Sequence, residues 1–445
     1  MRSAPDTGFR RELGLFDAAV VVAGGIVGVG IFANPSNVAR VLPNPVHILL
    51  AWTIGGAVAL IGGFVWAELA SRFPHVGGQY VYLQRAYHPV VGFLYGIALL
   101  FIINGGSLAA VSILFASYVD SSFVSLGAIG VRLAAATALI GLTAVNAVGI
   151  RAGKWTNNTL MAAKVGGILA LLGLALRRGF VPASHFDLAP VSIPDIHLLF
   201  TALVPILFAY GGWQSCANIA GEIENPARNL PRANVIGVIV VVGLYLSLNL
   251  AYLWVLTPDQ VARSSALAAD VARAVAGDAG ARFVALLIIV SSLGFLAVVI
   301  LTGSRLYYAM AGDGLLLARA GRLHPTYQTP VFALWIQAAV SLALLTTNTY
   351  DQLLSYVVFA DWLFFGLTAA GLLIVRHREP RPRGEIAYVP GHPVTTSIFI
   401  LVAGGVVVNS FITYPTQSLV GATILAAATA SYFVMKRTST EQRKT

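Results

Sequence analysis

Charge is scarce in this sequence: Asp, Glu, Lys and Arg make up 10% of 445 residues, against about 25% in an ordinary soluble domain. Cysteine is almost absent. The one copy, Cys216, excludes an internal disulfide framework, and the eight histidines fall without the Cys/His spacing that would hold a metal. No cofactor motif stands out either. What fills the chain is apolar, 57% of the residues, which excludes a disordered chain and argues against a soluble globule. Membrane-spanning helices of about 20 residues each account for such a composition, and roughly a dozen would leave only short connections. No room remains for a large extramembrane domain.

Apolar runs set against polar interruptions predict twelve helices, over 15–41, 46–70, 89–118, 129–148, 155–176, 196–222, 233–256, 282–309, 330–347, 352–375, 393–413 and 417–435. The stretch Met1 to Gly14 is short and charged, and no small-residue cleavage site follows it, so the first span is expected to be retained. Alternate loops sort the basic residues: 20 of the 28 Lys and Arg fall on one side and 7 on the other, with Lys164 inside a span. By the positive-inside rule this places both termini in the cytoplasm of a multi-pass protein of the cell membrane. It also explains most of the formal charge of +10 without nucleic acid.

Two spans carry a signal for interruption. Ala23 to Phe32 contains Gly24, Gly25, Gly28 and Gly30, with Pro35 shortly after. Each glycine lowers helix propensity by about 1 kcal/mol relative to alanine. Unwinding would expose backbone N–H and C=O groups, which hydrocarbon does not satisfy and which are tolerated only around a cavity. Close helix packing through small residues is the competing reading. A nucleotide loop is excluded because no strand precedes the run and no Gly-Lys-Ser/Thr follows. The sixth span repeats the device at Phe208-Ala209-Tyr210-Gly211-Gly212-Trp213. Broken helices at corresponding places in two halves mark a transporter's central site. A half-helix N-terminus suits a carboxylate and freed carbonyls suit an ammonium, so an α-amino acid satisfies both.

Gly28-Val29-Gly30-Ile31-Phe32, Pro74-His75-Val76-Gly77-Gly78-Gln79-Tyr80, Tyr210-Gly211-Gly212-Trp213 with Glu222 to Pro231, Ser304-Arg305, and Trp362-Leu363-Phe364 occur in that order. Together they resemble the amino acid–polyamine–organocation superfamily, and within it the L-type amino acid transporters. The resemblance runs from Gly14 to Pro393. It implies an all-α integral membrane fold with a leucine-transporter-like pair of inverted five-helix repeats plus two C-terminal helices. In residues, that is a tail at 1–14, repeats at 15–178 and 196–375, helices eleven and twelve within 393–435, and a tail at 436–445. It further implies a substrate carboxylate at the N–H groups of Gly28, Val29 and Gly30, and an ammonium near the carbonyls of Ile26, Phe208, Ala209 and Gly211. Trp213 reads as lining the pocket, with ordinary packing as the alternative. Val29 stands where the family usually has serine, so a hydroxyl contact is missing.

Lys164 lies mid-span, where an ionisable group costs about 2.5–3.5 kcal/mol on the insertion scale and marks function by default. The resemblance implies that this lysine replaces a sodium ion, bridging first-span carbonyls and the eighth-span hydroxyls of Ser291 and Ser292. Asp361 in the tenth span and Asn104 in the third are candidate pocket or proton groups, with local polar pairing as the alternative. Asp17 and Glu68 read as interfacial. Glu222 with Arg228 and Arg232 reads equally as a gate network or a solvated loop.

No nucleophile–base pair or metal cluster supports an enzyme, and isolated charges do not make the rings of a channel filter. The expected function is sodium-independent transport of neutral L-amino acids by alternating access, as exchanger or permease. Proton-coupled transport, transport of cationic amino acids or polyamines, and a non-transporting sensor are the alternatives. Gly211 sets the neutral preference, because relatives that take cationic substrates can carry an acid there. The loop from Tyr118 to Arg132 has no cysteine, so no disulfide-linked heavy subunit is expected.

Overall fold

The structure is a computed structural model that describes residues 9–177, 196–264, 266–347, 350–379 and 387–442. The outer parts of both expected tails (1–8 and 443–445), position 178 and the basic residues Arg381 and Arg383 lie outside the described residues.

Helices follow the apolar runs in order. The first span is a bent pair, Leu15–Ile26 and Gly30–Val41, meeting at 41°. Then come Pro45–Arg72, Pro89–Ser122, Gly127–Ala147, Trp155–Leu176, His197–Glu222, Pro226–Val255, Leu267–Gly312, the shorter Val331–Thr346, Tyr356–Arg378, Val394–Thr413 and Pro415–Val434. Counting the bent pair as one, eleven of these are long and apolar enough to cross a membrane and Val331–Thr346 is a shorter apolar helix, so the chain is an all-helical, multi-pass membrane protein. Among the described residues no strand forms beyond one isolated bridge between Leu13 and Ile223.

Two departures from the expected boundaries and one irregular turn within a span stand out. The seventh helix starts at Pro226 rather than 233, because proline fits the first turn of a helix, where its missing N–H costs nothing. The eighth starts at Leu267, and Gly277 breaks it at φ 65°, so its first turns lie ahead of the apolar run. In the third span a π-helical turn, Leu99–Ile103, directly precedes Asn104. Such bulges re-aim the side chains that follow them.

The two interrupted spans sit at the centre. The first half of span 1 packs on the second half of span 6, and the second half of span 1 packs on the first half of span 6. Gly212 has φ 127°, where an L side chain is strained. A Cβ on Gly25 would stand 3.0 Å from Gly212 O, and one on Gly30 would stand 2.9 Å from Ala209 Cα. The glycines therefore both unwind the helices and let the two breaks touch. The two readings of the first run are joint consequences of one requirement.

Candidate substrate site

Between Ile26 and Gly30 the chain leaves the helix, with Val27 at φ −70° and ψ 88° and Val29 heading the second half-helix. The Val29 and Gly30 N–H groups belong to the unsatisfied first turn of that half-helix, whereas Gly28 precedes it and its N–H lies against the Tyr245 hydroxyl. The carbonyls at the break are held from behind. Lys164, 1% exposed, donates from Nζ to Val27 O at 2.7 Å and to Gly24 O at 3.5 Å. Ser291 Oγ donates to Gly28 O at 3.4 Å. Ser292 departs from the expected bridge: its hydroxyl donates to Ile288 O at 2.8 Å within its own helix, and neither serine bonds the lysine. A serine hydroxyl is readily taken up by the carbonyl one turn back.

Sequence reading missed the clamp that joins the two breaks. The hydroxyl of Tyr245, on the seventh span, lies 3.0 Å from Ile26 O and 3.2 Å from Ala209 O. Phe208 O accepts the Gly211 N–H at 3.1 Å. Of the carbonyls expected to face an ammonium, Ile26 O and Ala209 O thus share the single Tyr245 O–H and Phe208 O carries one donor, and a carbonyl has two lone pairs to share.

In front of the breaks lies a small cavity of about 70 Å³. Ile26, Gly28, Val29, Gly30, Phe208, Ala209 and Gly211 line it, as do Asn104 and Asp361. Trp213 does not. It is fully buried against Trp66, Phe365 and Phe399, because the positive φ at Gly212 turns the chain away from the cavity. Ser107, Gln214, Ser215, Phe295 and Trp362 line it instead; of these the sequence marked only Trp362, as part of a motif and not as a lining residue. Asp361 is the one ionisable side chain among the lining residues.

Two charge clusters close one end of the bundle. Glu222 pairs with Arg305 at 2.6 Å, both 1% exposed, which corrects the expectation of Arg228 and Arg232: those two are exposed. Phe9 lies over the Arg305 guanidinium, and Glu222 O accepts from Glu12 N and Leu13 N, so the N-terminal segment straps across the second half of span 6. Glu68, expected at an interface, is 0% exposed and accepts from Arg72 at 2.8 Å, Arg376 at 2.8 Å and Val389 N at 2.9 Å. Asp17 is buried too and accepts from Asn158 at 2.9 Å. The Pro74–Tyr80 segment docks beside these clusters. Gln79 donates to Phe364 O and Thr368, and Tyr80 donates to Asp313 at 2.6 Å. Burial and that neighbouring carboxylate raise the Tyr80 pKa well above a free phenol's.

A family model described as amino acid permease matches residues 13–435. This chain belongs to the amino acid permease family. The permease is 31% identical to b(0,+)-type amino acid transporter 1 of Mus musculus over 408 residues, covering 89% of this chain and 83% of the relative. It is 30% identical to the Homo sapiens protein of that name over 411 residues, with the same coverage, 89% and 83%. The large neutral amino acids transporter small subunit 2 of Homo sapiens is 29% identical over 437 residues, 96% of this chain and 80% of that protein. The relatives are named as transporters rather than enzymes. Among the described residues of the permease, no three His, Cys, Asp or Glu gather as metal ligands.

Proposed function

We propose that the chain is a sodium-independent secondary transporter of neutral L-amino acids that works by alternating access. One observation carries the reading: a cavity opens at the junction of two broken helices, with the N–H groups of Val29 and Gly30 at the start of a half-helix and carbonyls at Ile26 and Ala209 beside it. N–H groups at the start of a half-helix attract a carboxylate, and the carbonyls attract an ammonium. Phe208, Phe295, Val299 and Trp362 supply an apolar wall for the side chain. Gly211, with no atom nearer than 3.4 Å to a Cβ placed there, leaves room without adding charge. The Lys164 ammonium on the carbonyls of Gly24 and Val27 supplies the positive charge that a sodium ion would otherwise bring. The names of the relatives, amino acid transporter and large neutral amino acids transporter, support the substrate class.

Alternating access would move the two repeats, 15–178 and 196–375, around this junction. The basic asymmetry supports cytoplasmic termini, which puts the Glu222–Arg305 and Glu68–Arg376 clusters on the cytoplasmic side as a closed gate. Some relatives are named small subunits, which points to a second chain in those proteins. Here Cys216 is buried and the loop after the third span has no cysteine, so association with a partner would be non-covalent.

The test is uptake by proteoliposomes in sodium-free buffer with a competition panel. Alanine, serine and leucine should displace labelled substrate and arginine and lysine should do so weakly, and Gly211→Asp should shift the preference towards cations. Arginine competing as well as leucine would favour the cationic reading, for which Asp361 is the specific observation, and a strict need for sodium would remove the role given to Lys164.

A further inference from the structure

The cavity holds one charge whose partner is missing from its walls. Asp361 projects from the tenth span into it, and Asp361 Oδ1 is buried with no hydrogen-bond donor among the described residues. No lysine, arginine or histidine lines the cavity. Lys164 sits behind the unwound stretch, occupied by Val27 O. A carboxylate in such surroundings is strongly disfavoured unless it gains a cation, donors or a proton.

Next to the carboxylate is a second set of unpartnered polar groups. Tyr95 of the third span, Tyr307 of the eighth and Gln337 of the ninth are buried to within 1%. The Tyr95 hydroxyl and both amide atoms of Gln337 lack a hydrogen-bond partner among the described residues. Tyr95 couples electrostatically to Asp361 and to Tyr307. Tyr307 lies against the Asn104 amide, and Asn104 and Gln337 meet over Gly303, where a Cβ would strike both. Gly303 therefore opens the space in which the cluster forms. The π-helical turn at Leu99–Ile103 separates Tyr95 from Asn104 and lets one helix aim both at it.

We infer that Asp361 is a proton site coupled to transport. The carboxylate takes one proton from the side on which substrate loads, becomes the neutral acid while a zwitterionic amino acid occupies the cavity, and returns the proton on the other side. No bond of the substrate is made or broken. The inference rests on the transport reading above. A neutral amino acid brings no net charge to balance Asp361, so the proton is the cation that can. The neighbours favour a proton over a cationic substrate side chain. Val357, Val358, Trp362 and Phe365 beside Asp361 on the cavity wall are apolar and give an ammonium no second carboxylate. The Tyr95 and Tyr307 hydroxyls, in contrast, both donate and accept, as a proton relay requires.

The other ionisable groups packed against the tenth span are engaged elsewhere. Glu68 and Arg72 meet Arg376, about 22 Å along the helix from Asp361 at 1.5 Å per residue. On the short helix Gln79–Ala86 and its end, Tyr80 bonds Asp313, Arg85 lies with the cluster near Arg378, and Tyr87 bonds Leu367 O. Tyr432 of the twelfth span packs on Phe93 and His88. The eleventh span has no ionisable side chain between Val394 and Thr413.

The experiment uses the full chain in proteoliposomes and whichever of labelled alanine, serine, leucine or phenylalanine exchanges fastest at equal pH. A one-unit inward proton gradient sets a ceiling of about tenfold accumulation for one proton per substrate. The unaltered chain should approach that ceiling and acidify a lumen that contains pyranine. Asp361→Asn should bring the accumulation ratio to about one without acidification, a ratio that does not depend on turnover rate, and Asp361→Glu should restore it. Tyr95→Phe, at a positioning residue, should move the pH of half-maximal driven uptake. Should Asp361→Asn fail to fold, the unaltered chain and Asp361→Glu decide. Exchange with no response to the gradient overturns the proton site and leaves transport standing, whereas no exchange of any probe overturns both. A gradient response kept in Asp361→Asn together with selective loss of arginine displacement would assign the carboxylate to a cationic side chain instead.

Discussion

Gly211 and Gly212 are adjacent and chemically identical, yet alanine should have opposite effects at the two positions. At 212 the backbone holds φ 127°, and a Cβ would run into Gly25 O and the carbonyl carbon behind it. The unfavourable backbone region costs about 1–3 kcal/mol and overpacking against a fixed neighbour adds about 1–3 kcal/mol. Together that is about 2–6 kcal/mol while the two breaks stay in contact. The only relief is to move the breaks apart, which takes Ile26 O and Ala209 O off the Tyr245 hydroxyl. At 211 the nearest atom to a new Cβ is Phe208 O at 3.4 Å, and the conformation is open to alanine, so the change should be neutral or slightly stabilising through the unfolded chain. Thermal unfolding in detergent and initial uptake rates would be measured on both variants. Gly212→Ala should unfold earlier and lose transport, and Gly211→Ala should keep both. Equal melting and equal uptake would refute the account of why two glycines stand at this break.

Three further outcomes follow from the same structure. With Cys216 replaced by alanine, a cysteine at Leu317, which is 59% exposed, should label from the cytoplasm and one at Asp259, 68% exposed at its side chain, from outside; reversed labelling would invert the orientation. Lys164→Ala strips the donor from Val27 O and should reduce turnover more than it lowers the unfolding temperature, while uptake by the unaltered chain should be equal in choline and sodium buffers. Removing one member of the buried Glu222–Arg305 pair leaves an uncompensated charge at a cost of about 3–5 kcal/mol, so Arg305→Met should be strongly destabilised and Glu222→Gln with Arg305→Met should recover much of the loss; a double variant no better than the single would show that the pair is not the reason.

The broken helices were legible because glycine acts locally. Four glycines in the run Gly24 to Gly30, and two more at 211 and 212, weaken a helix wherever the rest of the chain goes. The lining of the cavity was legible only as far as those breaks reach. Trp213 sits beside Gly212 in sequence, but the direction of its side chain is set by one positive φ, which composition does not reveal. Tyr245 looks like any tyrosine on an apolar helix, and its hydroxyl acquires a role only when the seventh span crosses both breaks. Glu68 and Arg376 are 308 positions apart, and their pairing depends on how the second and tenth spans meet. Asp361 could be marked as costly from sequence, but the hydroxyls of Tyr95 and Tyr307 near it come from helices that only the tertiary fold brings together.

The central claim is that N–H groups of the first break read the substrate's carboxylate and carbonyls of both breaks its ammonium. The most direct measurement is the shift in unfolding temperature of the purified chain with leucine, leucine methyl ester and N-acetyl-leucine at equal concentrations. Leucine should stabilise the protein in proportion to ln(1 + [L]/Kd), while the ester, which lacks the carboxylate, and the N-acetyl form, which lacks the ammonium, should each give little shift. Stabilisation by either derivative equal to that by leucine would contradict the claim.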